Sequence, residues 1–149
     1  MTETVMMPTH NAPRRNGRFI PPLLSVPFVL YNVVAFLFFA GVPQGWEQGL
    51  FLIPMVSGTP WAITAGDFLL VIGIIMLFFE VLKSTNSGRN SIVEHMLSMA
   101  LFVAFLVEFL LVGAAASSVF FLLMVMALID VVAGFTVSIT SAGRDVTMN

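Results

Sequence analysis

The groups in this 149-residue chain that could do chemistry are eight acids, two histidines and a few amides and hydroxyls set among apolar residues. Glu3 and Asp145 lie near the ends, and Glu47 lies in a polar connection. Glu80 and Glu94 flank the basic stretch around Lys83 and Arg89. Asp67, Glu108 and Asp130 fall inside long apolar runs, as does Asn32. A carboxyl in such a run can carry a proton or a cation, hydrogen-bond between helices, or meet a base on a partner. Inserting an Asp at a helix centre costs roughly 2.5–3.5 kcal/mol. Neutralising it at pH 7 costs about 4 kcal/mol. The two figures are close, so the partner decides the state. No apolar run contains Lys or Arg, so the expectation is that no intramembrane salt bridge forms within the chain. The acids are then protonated, hydrated, cation-bound, or paired with a base from another protein.

Other chemistries lack their residues. There is no cysteine, which excludes a thiol oxidase. Only His95 falls in an apolar run, which excludes a bis-histidine haem in one chain. There is no Ser-His-Asp arrangement, HExxH, phosphate loop or basic groove for nucleic acid. The ten methionines invite a Cu(I) reading, with Met6, Met7 and His10 clustered and His95 and Met99 at i, i+4. Their spacing suits packing better. No metal, cofactor or catalytic residue is assigned. His95 beside Glu94 reads as a headgroup-level histidine, with a pH-sensitive gate as the sharper reading.

The elements that carry these residues follow from composition. AVILMFWYC make up 58% of the chain and charged residues 9%, against roughly 25% in soluble domains. Mean hydropathy is +1.00. The expected fold is an all-α integral membrane protein, a four-helix antiparallel transmembrane bundle. Its spans are expected at about residues 22–42, 61–82, 92–111 and 118–140. A cytoplasmic tail covers 1–19, the membrane domain 20–141 and a second tail 142–149. Arg14, Arg15, Arg18, Lys83, Arg89 and Arg144 then all fall on one side. By the positive-inside rule both termini are cytoplasmic. Arg14, Arg15 and Arg18 set topology and touch anionic lipid. Trp46 and Trp61 are expected as headgroup anchors at the outer boundary. A cleaved signal sequence is the weaker alternative for the first span, whose apolar stretch is too long for one. The run Leu50–Val56 is too short to cross and is expected as an interfacial segment in the first outer loop.

Helical spacing places several polar groups on packing faces. Ala127, Asp130, Gly134 and Ser138 form a small-residue stripe, as do Gly66, Gly73 and Glu80. Glu94, Ser98, Leu101, Phe105 and Glu108 share one face. Asp67 lies about 100° from its helix's stripe. Ordered by depth, Glu80, Glu94 and His95 form an inner-boundary cluster. Asp130 and Asn32 come next, then Asp67 and Glu108, a sequence that would suit a proton or cation path.

The leading functional expectation is a non-enzymatic accessory or scaffolding subunit of the cell inner membrane. It packs on a membrane-protein partner through Asp130 and the Leu50–Val56 segment. The rival is a small proton- or cation-coupled transporter or channel, working as a homo-oligomer through Asp67, Glu108 and Asp130. An enzyme acting on a lipid or quinone is the third reading, with no nucleophile to support it.

Overall fold

A computed structural model describes residues 21–85 and 91–146. The tail bases Arg14, Arg15 and Arg18, together with Arg89, lie outside the described residues. The chain is mainly helical, in the order α1 (Ser25–Leu37), β1 (Gly49–Pro54), β2 (Pro60–Thr64), α2 (Ala65–Thr85), α3 (Ser91–Leu111) and α4 (Ser118–Val146). Segments Ala65–Ser84, Val93–Leu111 and Ser118–Val137 are long and apolar enough to cross a membrane.

The first helix is shorter than the apolar count implied. Thirteen residues of helix cover about 20 Å, against the roughly 30 Å of a bilayer's hydrocarbon core. The apolar run continues to Val42, but the helix does not. Ala40 and Gly41 take positive φ (50° and 77°), and Pro43 follows. The Gly41 N–H turns back to the Ala35 carbonyl at 2.8 Å, closing the helix end. Stop signals thus outweigh hydropathy, and the expected span 22–42 is corrected to Ser25–Leu37.

Within the run Leu50–Val56, residues 50–54 belong to strand β1. β1 pairs antiparallel with β2, Leu52 opposite Ala62 and Ile53 opposite Trp61. The bend is closed by Gly58 N–H to Met55 carbonyl at 2.9 Å, with Gly58 at φ 83°. Pro54 and Pro60 sit at strand ends, where no ladder donor is needed. Helix α2 therefore begins at Ala65, not Trp61. At its other end it runs through Lys83 to Thr85. Helix α4 continues to Val146, so residues 142–146 are helical.

Helix α4 is the centre of the bundle, packed on α2 along one side and α3 along the other. Small residues allow this. A Cβ on Gly66 would lie 2.6 Å from Val119, and one on Gly73 would lie 2.7 Å from Leu123. Helix α1 lies against α2 and α4 and barely meets α3. The core is aromatic. Tyr31, Phe105, Phe120 and Leu123 are fully buried, and Phe28 meets Phe105 edge-on at 4.6 Å. The Tyr31 hydroxyl donates to the Ala114 carbonyl at 2.7 Å and pairs with the Ser117 hydroxyl at 2.7 Å. Ser117 caps α4 by accepting the Phe120 N–H at 3.1 Å.

Trp46 belongs to this core. It is 3% exposed, stacked on Tyr31 at 4.6 Å, so it does not present its ring to headgroups as expected. Trp61, half exposed on β2, is free to do so.

Candidate functional site

The deep polar residues form two separate sites and one helix cap. The first site lies where the end of α2 meets the start of α3. Extending α2 past Leu82 carries Lys83 onto the same helix as Glu80, one turn on. Its ammonium lies 3.1 Å from Glu80 and 3.6 Å from Glu94. The ion pairs join Glu80 and Glu94, the acids read as inner-boundary groups, to the base just past the expected span. Hydropathy ends the expected span at Leu82, but Lys83, Ser84 and Thr85 keep helical geometry, and the Ser84 hydroxyl donates to the Val81 carbonyl at 2.8 Å. Glu80 is 5% exposed. Its other oxygen accepts the Leu23 N–H at 2.5 Å, just before α1. Leu24 provides no side-chain cap to α1, so a carboxylate from another helix serves its start.

Asp130 and Ser98 complete this site. They are 4% and 7% exposed and hydrogen-bonded to each other. Lys83, His95 and Glu80 act electrostatically on Asp130. Gly134 lets the imidazole lie flat on α4, since a Cβ there would sit 2.9 Å from His95 Nδ1. Asp130 and Gly134 of the small-residue stripe thus face the polar side chains of α2 and α3, while Ala127 lies in the apolar core. The side chain of Ser138, the next stripe member, lies outside what is described. Glu80, Lys83, Ser84, Glu94, His95, Ser98, Asp130 and Gly134 enclose a cavity of about 30 Å³. That is room for one or two water molecules with several polar partners.

The second site is at the other end of the bundle. Asn32 Nδ2 donates to Glu108 Oε2 at 3.1 Å and to the Phe28 carbonyl at 3.2 Å. This pair joins α1 to α3. It sits in a groove of about 430 Å³ that opens to the side of the bundle. Apart from the pair, the groove is lined by apolar side chains.

Asp67 joins neither site. Because α2 starts at Ala65, Asp67 stands in its first turn. Its Oδ2 accepts from the Thr64 N–H at 2.8 Å and the Thr64 hydroxyl at 2.9 Å. Thr64 Oγ1 accepts the Asp67 N–H at 3.1 Å. This is a reciprocal capping box. The signature Thr64-Ala65-Gly66-Asp67 is present in the sequence and would have identified the helix start.

The depth series expected from Glu80 to Glu108 is therefore broken. Ser98 and Glu108 are ten residues apart on α3, a rise of about 15 Å. Between them the fully buried rings of Phe105 and Phe120 meet at 5.3 Å, beside Leu123. Among the described residues, no three His, Asp or Glu side chains are grouped to hold a metal ion.

Fold and sites together define an α-helical membrane protein, with one ionic cluster enclosed in the bundle and one amide–carboxylate pair in an open groove. The chain matches no protein-family model, no curated protein and no solved structure.

Proposed function

We propose that the chain is a small polytopic protein of the cell inner membrane, working as a non-enzymatic accessory subunit that packs against a partner membrane protein. The observation that carries this reading is the contrast between a closed interior and an unfinished exterior. Glu80, Glu94, Asp130 and Asn32 find partners within the chain. On the outside, the hairpin presents Leu50, Phe51, Leu52, Met55 and Val56, all exposed. A two-stranded hairpin is marginal in water alone, so such a surface calls for a headgroup layer or another protein. Asp130 is too buried to dock a partner, which moves the contact to the hairpin and the groove.

The proposed topology has four crossings with both termini inside. Helix α1 crosses with its flanking segments: Leu23 meets Glu80 near the end of α2, while Trp46 lies against Gly66 at its start. All six bases in the sequence then belong to the cytoplasmic side.

The enclosed cavity with Glu80, Glu94, His95 and Asp130 favours a second reading, a proton- or cation-coupled transporter acting as a homo-oligomer. The aromatic layer and the capping role of Asp67 weigh against a continuous path. Purification from native membranes in mild detergent, followed by reconstitution of the pure chain and a proton-flux assay, separates the two. A stable heteromeric partner without flux is expected. Flux by the pure chain that vanishes in Asp130→Asn would overturn the accessory reading.

A further inference from the structure

We propose that the groove between α1 and α3 receives a transmembrane helix of a different protein, bearing a lysine or arginine that pairs with Glu108. This deepens the accessory-subunit reading and rests on it for the kind of partner. Asn32 supplies one neutral hydrogen bond to Glu108 Oε2, and no other donor among the described residues reaches this carboxylate. Its remaining acceptor capacity points into a groove walled by Phe28, Phe36, Ala104 and Val107. A carboxylate in apolar surroundings gains most from a charged donor. A lysine or arginine brings one on a long apolar stem that can lie along Phe36 and Val107.

The shape suits a helix. The groove follows α1 from Phe28 to Phe36, about 12 Å, and α3 from Ala104 to Leu111, about 10 Å. Its α3 wall is low at Ala104, which leaves room for a close helix approach. A second copy of this chain does not fit the charge. Lys83, the base described in the bundle, is held by Glu80 and Glu94 at the opposite end. The remaining five bases flank that same end in the chain order, before α1, between α2 and α3, or late in α4. Among the described side chains, a copy inserted in the same direction therefore offers no base at the level of Glu108.

The test uses the full chain in phosphatidylcholine vesicles, with a photoreactive phenylalanine derivative at Val107. The probes are tryptophan-flanked Leu/Ala transmembrane peptides carrying one Lys, or Leu in its place, one turn from an end. The expected result is capture of the Lys peptide about tenfold better than the Leu peptide. That preference should disappear in Glu108→Gln, which keeps the Asn32 bond and the fold. Ala104→Phe should reduce capture of both peptides. Equal capture of the two peptides, or a preference untouched by Glu108→Gln, overturns the proposal. So does crosslinking between two copies of the chain without peptide, or a lipid adduct that displaces the Lys peptide. The underlying reading fails separately. If native membranes yield a heteromeric complex that survives Glu108→Gln and Ala104→Phe, the groove assignment is wrong and the accessory role stands. If the Lys peptide is captured but native membranes yield no heteromer, the accessory role is wrong and the groove chemistry stands.

Discussion

The two polar sites of this bundle hold the same kind of group under opposite conditions. At the α2–α3 end, Glu80, Glu94 and Asp130 lie among a lysine, a histidine and a serine, mostly out of reach of the surroundings. At the hairpin end, Glu108 has one amide and an open groove. The enclosed site joins α1, α2, α3 and α4 into one unit. The open site ties α1 loosely to α3 and leaves acceptor capacity over. The difference teaches that a carboxylate in a membrane helix is not functional by its presence alone. Its unspent bonding capacity separates a structural acid from one available to a partner.

The largest effect should come from unbalancing the enclosed site. Lys83→Met leaves Glu80 and Glu94 without their base in a low-dielectric setting. Breaking a buried ion pair on one side costs about 3–5 kcal/mol, and the partial exposure of Lys83 favours the lower figure. Reversible unfolding in mixed micelles should register it. Adding Glu80→Gln and Glu94→Gln to Lys83→Met should restore much of the loss, because the charges to be compensated are gone. If the triple variant is no more stable than Lys83→Met, the cluster is not an electrostatic unit and the contrast between the sites collapses.

A middle effect belongs to Tyr31, which packs against Phe120 of the aromatic layer at 4.7 Å. Tyr31→Phe keeps the ring stack on Trp46 but removes the hydroxyl that bonds Ala114 and Ser117. The Ala114 carbonyl then loses a buried partner, for a cost of about 1–2 kcal/mol by the same unfolding assay. A much smaller loss would mean that the α3–α4 turn is held by its backbone alone.

Below it comes Asp67→Ala, which removes the reciprocal cap of α2 at a cost of about 1 kcal/mol. Partner binding should be unchanged in this variant, since Asp67 belongs to neither site. A loss of co-purifying partner with intact helicity would return Asp67 to the functional group in which the sequence reading had put it.

These residues also mark how far sequence reaches. The stripe Gly66–Gly73–Glu80 and the stripe Ala127–Asp130–Gly134 were legible because helix packing needs small residues at regular spacing, and both face their neighbours as expected. The end of α1 and the capping role of Asp67 were present as Gly41, Pro43 and Thr64-x-x-Asp67. Hydropathy over a long window averages such local signals away. Lys83 and the Asn32–Glu108 pair are different. Whether Lys83 turns toward Glu94 depends on how α2 sits beside α3, and whether Asn32 finds Glu108 and not Asp130 depends on how α1 leans on α2 and α4. That lean is set by contacts distant in sequence, such as Leu23 with Glu80, and no local spacing encodes it.

The smallest effect tests the separation directly. Glu108→Gln and Asp130→Asn are close to isosteric and each keeps a hydrogen-bonding amide, so neither opens a cavity. If the sites are independent, the double variant's stability should equal the sum of the single changes within about 0.3–0.5 kcal/mol, the usual limit for distant residues. The physical ground is the layer of Phe105, Phe120 and Leu123 between them, fully buried and without a polar atom to relay a proton or a charge. A connected path predicts the opposite: changing one carboxyl alters the charge state of the other, and the pair departs from additivity by more than about 0.5 kcal/mol. The same four proteins, wild type included, carry the functional comparison. Glu108→Gln should weaken association with a basic transmembrane helix, while Asp130→Asn should leave it as in the wild type. An Asp130→Asn effect on that association as large as the Glu108→Gln effect would join the two sites into one and remove the basis for assigning them different roles.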